Sequence, residues 1–284
     1  MQYYVGALLL HNLSHKEVCN NIFVVTNLLN AGNNAEQHPD SMYDVDKEHR
    51  VSDIKIAELN LEAGRAAIAL ASFGHAVGYL QRGIEKLPLD RWCRHYRLSL
   101  ELFSSAAEAE YCTGDIERME KHCFEVVNQK DIPVEDKFRV YNVLIPSIGN
   151  RNRIQEAHDM TVSVLKEVGC TFPKRAQMLA VLRGLLKTKG AVKQFNPDTF
   201  VRYKEMNEET KIQGMRMLDR LTTFSYLLGT LLTPLAIFKM FDWTLEHGTS
   251  KFCTIGFATI GFLLSYKLGV SFTSKITDYL FLDI

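Results

Sequence analysis

A helix–turn–helix unit recurs three times near the middle of this sequence, and it decides what the chain can build. The segment Ala57 to Gly64 leads into Ser72-Phe73-Gly74-His75-Ala76. The same order of apolar helix, short polar break and apolar helix returns at Gly114-Asp115-Ile116, and again at Arg153-Ile154. Phe73 to Ile116 is 43 residues and Ile116 to Ile154 is 38. A unit of this size is one helix pair. It cannot bury its apolar face alone, so neighbouring pairs must stack to make a core.

The helical period supports this reading. Ala57, Leu61, Gly64, Ile68 and Ala71 fall on one stripe, and Phe73, Ala76, Leu80, Ile84 and Leu87 form another that Pro88 stops. Leu98, Leu102, Ala106 and Ala109 line a third helix. Gly114-Asp115 then supply a helix stop and an N-cap, and Ile116, Met119, Cys123 and Val126 line the next helix. Ile154, Ala157, Thr161, Val164 and Val168 repeat the arrangement, with Gly169 and Pro173 closing it. The steps exceed the roughly 34 residues of a regular tetratricopeptide array. With no strand alternation in sight, the expected fold is all-α, an irregular tetratricopeptide-like solenoid of stacked antiparallel helix pairs.

The expected organisation is N-terminal helices over 1–30, a flexible loop over 31–52, where Gly32, Asn33, Asn34, Pro39 and Asp40 gather, and repeats over 53–190. A connector over 191–206 contains Asn196-Pro197-Asp198, and further helices with apolar stretches fill 207–284. Lys plus Arg equal Asp plus Glu at 33 each, which argues against a nucleic-acid protein with a phosphate-neutralising face. The six cysteines are scattered without a CxxC pair, which suits a reducing compartment. The start of the chain lacks the basic residue and cleavage site of a signal peptide. The expected location is cytoplasmic.

Two runs in the last third raise a membrane alternative. Residues 221–238 carry no charge, but four Thr, one Ser, one Gly and Pro234 dilute their 11 apolar residues. Residues 252–266 rise only about 22 Å as a helix, short of a bilayer core. A membrane-anchored adaptor with a hairpin at 221–266 is therefore the second expectation, behind a solenoid whose buried helices look alike in sequence.

The order of "LHNLSHKEVCNNIFVVTNLLNAG", "IAELNLEAGRAAIALASFGHAVGYLQRGIEKLP", "LSLELFSSAAEAEYCTGDIERMEKH" and "RIQEAHDMTVSVLKEVGCTFP" resembles part of large multidomain signalling proteins. That part is the tetratricopeptide-like helical region that follows their AAA/STAND-type ATPase domain. Such proteins often carry a serine/threonine-kinase-like domain before the ATPase and sensor, histidine-kinase or cyclase modules after it. The match runs on through "MRMLDRLTTFSYLLGTLLTPLAIFKMFDWTLEHGTSKFCTIGFATIGFLLS". The resemblance implies a fragment without the ATPase. Its function would be a non-catalytic scaffold or regulatory module, contacting protein partners or other domains of the same protein in ATPase-linked signal transduction.

The sequence offers no nucleotide-binding motif of its own. Gly184-Leu-Leu-Lys-Thr-Lys-Gly190 has the wrong order for a P-loop, and no GxGxxG, kinase loop or nucleophile elbow occurs. No cofactor, metal or small-molecule substrate is expected, and no catalytic residue. His11 and His15 lie four apart but lack the Glu of HExxH. Cys112, His122 and Cys123 fit a helix pair better than a metal cluster. Glu101, Glu108 and Glu110, with Glu117 and Glu120, are expected on a solvated helix face. Asn12-Leu-Ser14 is a formal glycosylation sequon, and Ser99 follows basic residues in the manner of a phosphorylation site. Trp92, Tyr96 and Phe103 are the candidate interaction surface, against the alternative that they lock one helix pair to the next.

Overall fold

The computed structural model describes residues 1–32, 50–173, 178–194, 204–254 and 256–260. Most of the expected loop at 31–52, most of the connector at 191–206 and the region beyond 260 lie outside these residues. Regular structure among the described residues is helical, apart from an isolated parallel bridge between Glu205 and Thr249. The chain is all-α. It divides into two compact units, Met1–Leu144 and Ile145–Ile284. The division falls within a helix, one residue before Pro146, which has no N–H to give the helix ladder.

The first unit begins with α1 (Gln2–Asn12), α2 (His15–Asn20) and α3 (Ile22–Gly32). The sequon hydroxyl of Ser14 opens α2 through a capping box: Ser14 accepts from Glu17 N–H while the Glu17 carboxylate accepts from Ser14 N–H. Ala7, Val18, Ile22, Val25 and Leu29 from these helices share a core with Leu59, Ala63 and Tyr79. Next come α4 (Asp53–Ala69), α5 (Phe73–Glu85), the short α6 (Arg91–Arg94), α7 (Tyr96–Thr113), α8 (Ile116–Val127) and the start of α9 (Val134–Asn150). α3 packs on α4, α4 on α5, α5 on α7 and α7 on α8.

Small residues set the spacing between these helices. A Cβ placed on Gly64 would sit 2.6 Å from Leu80 Cγ, and one on Gly83 would sit 2.7 Å from Leu102 Cδ2. Ala57, Ala63, Ala106, Ala107 and Ala109 are fully buried beside them. The seam of α3 and α4 also holds a reciprocal amide pair. Asn30 Nδ2 donates to Asn60 Oδ1 at 2.9 Å and Asn60 Nδ2 returns the bond at 3.0 Å, both side chains being buried.

The breaks between paired helices share one local geometry. Ala71, Gly114 and Asn152 adopt left-handed φ of 54°, 81° and 63°, each two residues before the next helix starts. In each break the following N–H reaches back to a carbonyl five residues earlier: Ser72 to Ala67, Asp115 to Glu110 and Arg153 to Ile148. The left-handed residue itself donates to the carbonyl three back. These are Schellman closures, which satisfy the last carbonyls of the helix.

In the second unit α10 (Ile154–Glu167) packs on α12 (Glu209–Leu227), α12 on α13 (Leu232–His247), and α13 on α11 (Met178–Gln194). Glycines here lie under rings. Cβ atoms on Gly149, Gly184 and Gly214 would come within 2.7, 2.5 and 2.6 Å of Phe224, Phe238 and Trp243. Gly248, at φ 112°, lies so close to the Lys204 carbonyl that a side chain has no room.

The uncharged run 221–238 is not a single helix, and part of the expected second limb, 252–266, lies outside the described residues. α12 closes at Leu227, Gly229 turns left-handed at φ 64°, and α13 opens at Leu232, with Pro234 in its first turn where the missing N–H is harmless. Leu221, Phe224, Ala236, Ile237 and Phe238 are buried within the unit. Among the described residues no helix is long and apolar enough to cross a membrane.

The turn geometry sets a test of stability. Ala71 holds a left-handed conformation without being glycine, at a cost of about 1 kcal/mol. Ala71→Gly should therefore stabilise the fold by up to about 0.6 kcal/mol, the relieved strain less about 0.4–1 kcal/mol of unfolded-state entropy, and so raise the urea midpoint slightly. Gly114→Ala should lower it by about 1 kcal/mol, with the slope against urea unchanged in both variants.

Candidate functional site

A cleft of the first unit lies over the α7–α8 pair. It encloses about 270 Å³ and is lined by Gln81, Ile84 and Glu85 of α5, Arg91 of α6, Phe103 of α7, and Lys121, His122 and Glu125 of α8. The helical period explains the set: 81, 84 and 85 share one face of α5, and 121, 122 and 125 share one face of α8. The buried α8 stripe of Met119, Cys123 and Val126 turns that face toward the cleft.

Of the three predicted aromatic residues, Phe103 lines the cleft and Trp92 packs against it. Trp92 stacks on Phe103 with ring centroids 5.6 Å apart, Arg91 lies over the Phe103 ring at 5.2 Å, and His122 meets it edge-on at 5.5 Å. Phe103 is only 3% exposed, so it is a packing centre and not an open surface. Glu125 Oε1 accepts from both Arg91 Nη2, at 2.9 Å, and Trp92 Nε1, at 3.0 Å. Tyr96 goes elsewhere. Its hydroxyl donates to Asp136 of α9, and burial together with that carboxylate pushes its pKa up to about 12.

The strongest polar contact was misread in sequence. Glu110, expected with Glu101 and Glu108 on a solvated face, is fully buried. Its Oε2 lies 2.8 Å from His122 Nδ1, while Oε1 has no partner. This contact fixes the imidazole ring between α7 and α8. Glu101 and Glu108 are engaged as well. Arg139 of α9 donates to Glu101 at 2.5 Å, to Glu108 at 2.7 and 3.0 Å and to Ser105 at 3.2 Å, and Arg65 of α4 also pairs with Glu101. One carboxylate thus joins α4, α7 and α9. The signal in sequence was Glu110's place beside Ala106 and Ala107, inside an apolar helix and next to its stop.

The cleft holds an imidazole, and no Ser, Thr or Cys is among its lining residues. Two of its charged residues, Arg91 and Glu125, are paired with each other. Ser99 is fully buried and its hydroxyl donates to the Arg91 carbonyl at 3.3 Å, which closes it to a kinase. His11 and His15 are exposed, with His15 Nδ1 3.3 Å from Cys19 Sγ. Among the described residues no group of three His, Cys, Asp or Glu is placed to hold a metal ion. Comparison with family models, with curated proteins and with solved structures gave no match to this chain.

Two expectations follow. Burial raises the pKa of Glu125, but the bonds from Arg91 and Trp92 outweigh it and hold the carboxyl below 4.5. A depressed acid stabilises the fold above its unfolded pKa and loses that contribution as pH falls through the folded one. The stability difference between wild type and Glu125→Gln should hold steady from neutral pH to about 4.5 and shrink below it, as followed by urea melts across pH. The thiols should also separate. Cys19, Cys93 and Cys112 are exposed, whereas Cys123, Cys170 and Cys253 are buried, and burial pushes Cys170 up to about 11. Dithiobis(nitrobenzoate) should label three thiols quickly and the other three only on unfolding.

Proposed function

We propose that this chain is a non-catalytic helical-repeat module, an irregular tetratricopeptide-like stack that makes contacts with protein partners or with other domains of an ATPase-linked signalling protein. The observation that carries this reading is the recurrence of one turn. Left-handed residues at 71, 114 and 152, with the same pair of back-bonds, repeat the 43- and 38-residue spacing of the sequence. A helix pair closed in the same way each time is the building unit of a solenoid, whose purpose is an extended surface. The cleft supports the non-catalytic part. Its imidazole has no hydroxyl or thiol beside it in the lining, and its arginine and aromatic residues hold one another. Of the candidate trio, Trp92 and Phe103 fit the locking role, and a cytoplasmic setting fits the free thiols.

Titration of the purified chain with Mg-ATP tests the proposal. No heat of binding and no phosphate release are expected, and measurable turnover would overturn the non-catalytic reading. Sequencing the locus tests the context. An in-frame P-loop upstream supports the interdomain role, and its absence overturns the ATPase-linked part of the reading.

A further inference from the structure

Helix α11 wears its apolar stripe on the outside. Leu179, Leu182 and Leu186 advance by three and four residues, so they share one face of the helix. They are 63%, 48% and 69% exposed, and Met178 beside them is 59% exposed. The opposite face is the one that packs. Gly184 lies against Phe238, Thr188 is buried, and Lys187 Nζ bonds Asp242 Oδ2 at 2.5 Å. The outward leucines are thus not a core face that has come loose. They belong to a helix fixed by its other side.

The charges on this helix have one sign. Its sequence, MLAVLRGLLKTKGAVKQ, contains Arg183, Lys187, Lys189 and Lys193 and no Asp or Glu. At about 100° per residue, Arg183 borders the leucine stripe on one side and Lys189 on the other. Neither has a carboxylate within ion-pairing distance among the described residues. A 17-residue helix is about 25 Å long, and with its charges it cannot span a bilayer. An apolar stripe edged on both sides by cations suits the plane of an anionic bilayer instead. Leucines enter the acyl boundary while the flanking cations stay at phosphate and carboxylate headgroups. An acidic protein would match the charge equally. The placement of cations along both edges of the stripe, with no acceptor between them, favours a flat surface over a groove.

We infer that α11 docks this protein reversibly on an anionic lipid surface, through Leu179, Leu182 and Leu186 with Arg183 and Lys189 at their edges. Co-sedimentation of the full chain with phosphatidylcholine vesicles, with and without phosphatidylserine, tests this. Binding is expected only with phosphatidylserine, and it should weaken as salt rises. Each neutralised cation should cost about fivefold in partitioning, so Arg183→Gln with Lys189→Gln should cost about 25-fold. Leu182→Ser with Leu186→Ser should abolish detectable binding while the thermal melt by circular dichroism is unchanged. In a second readout, Leu182→Trp should give a blue-shifted emission on addition of anionic vesicles. Equal binding to neutral vesicles, or no binding by a chain with an intact melt, overturns the inference. Retention on poly-glutamate without vesicle binding also overturns it, and assigns the face to an acidic protein.

Discussion

Close approach of helix backbones is the constraint on which the rest of this structure depends. Where Gly64 meets Leu80 and Gly83 meets Leu102, a single added methyl would overlap the neighbouring side chain. Leucines pack there against backbone, and the buried alanines around them extend the same short spacing along α4 and α7. The second unit solves the problem differently. It seats the rings of Phe224, Phe238 and Trp243 on Gly149, Gly184 and Gly214, so large residues fill what small ones leave. A glycine costs helix stability, up to about 1 kcal/mol relative to alanine. Five at packing positions make sense only because each admits a neighbour that buries more than that.

Tight apolar seams do not by themselves fix register, since leucine slides past alanine with little change in energy. Buried polar pairs supply the missing specificity. Asn30 and Asn60 exchange two amide bonds, and a shift of α3 along α4 would break both in the core. Glu110 and His122 do the same for α7 and α8, at closer to the cost of a buried charge. Glu101, shared between Arg65 and Arg139, ties the outer edges of three helices. The helix pairs are set by size and aligned by polarity.

Much of this was legible in the sequence. The stripes of α5, α7, α8 and α10 and the first three positions of the α4 stripe, Ala57, Leu61 and Gly64, fall on the packed faces, because the period of a helix and its need to hide apolar atoms are both local rules. Ala71, expected on the α4 stripe, is instead exposed in the turn after it. Gly114-Asp115 was read as a stop and a cap, and Asp115 does cap Arg118 N–H. The failures share a cause. Glu110 and Ser99 looked like surface residues by type, yet tertiary neighbours buried them, and no local rule reports His122 twelve residues away or the Arg91 carbonyl. Residues 221–238 looked like one run because hydropathy does not register a left-handed glycine. The closure at Gly229 needs only the back-bond from Thr230 to Ser225. Tyr96 was grouped with Trp92 and Phe103 by proximity along the chain, although α7 turns its hydroxyl to Asp136.

Where the molecule recognises anything is a question about which of its groups are already satisfied. In the first unit the obvious candidates are engaged internally. Arg91 and Trp92 hold Glu125, His122 holds Glu110, Arg139 holds two glutamates, and the rings stack on one another. A ligand that competes for Arg91 or Glu125 in that cleft would have to displace the bond between them. On α11 the balance is reversed. Three leucines are in water, and two cations beside them face no carboxylate among the described residues, so contact with an apolar, anionic surface releases water without breaking an ion pair described for them. In a protein built from stacked helices, interior faces are consumed in making the stack. Binding then falls to the faces whose chemistry the stack has left unused.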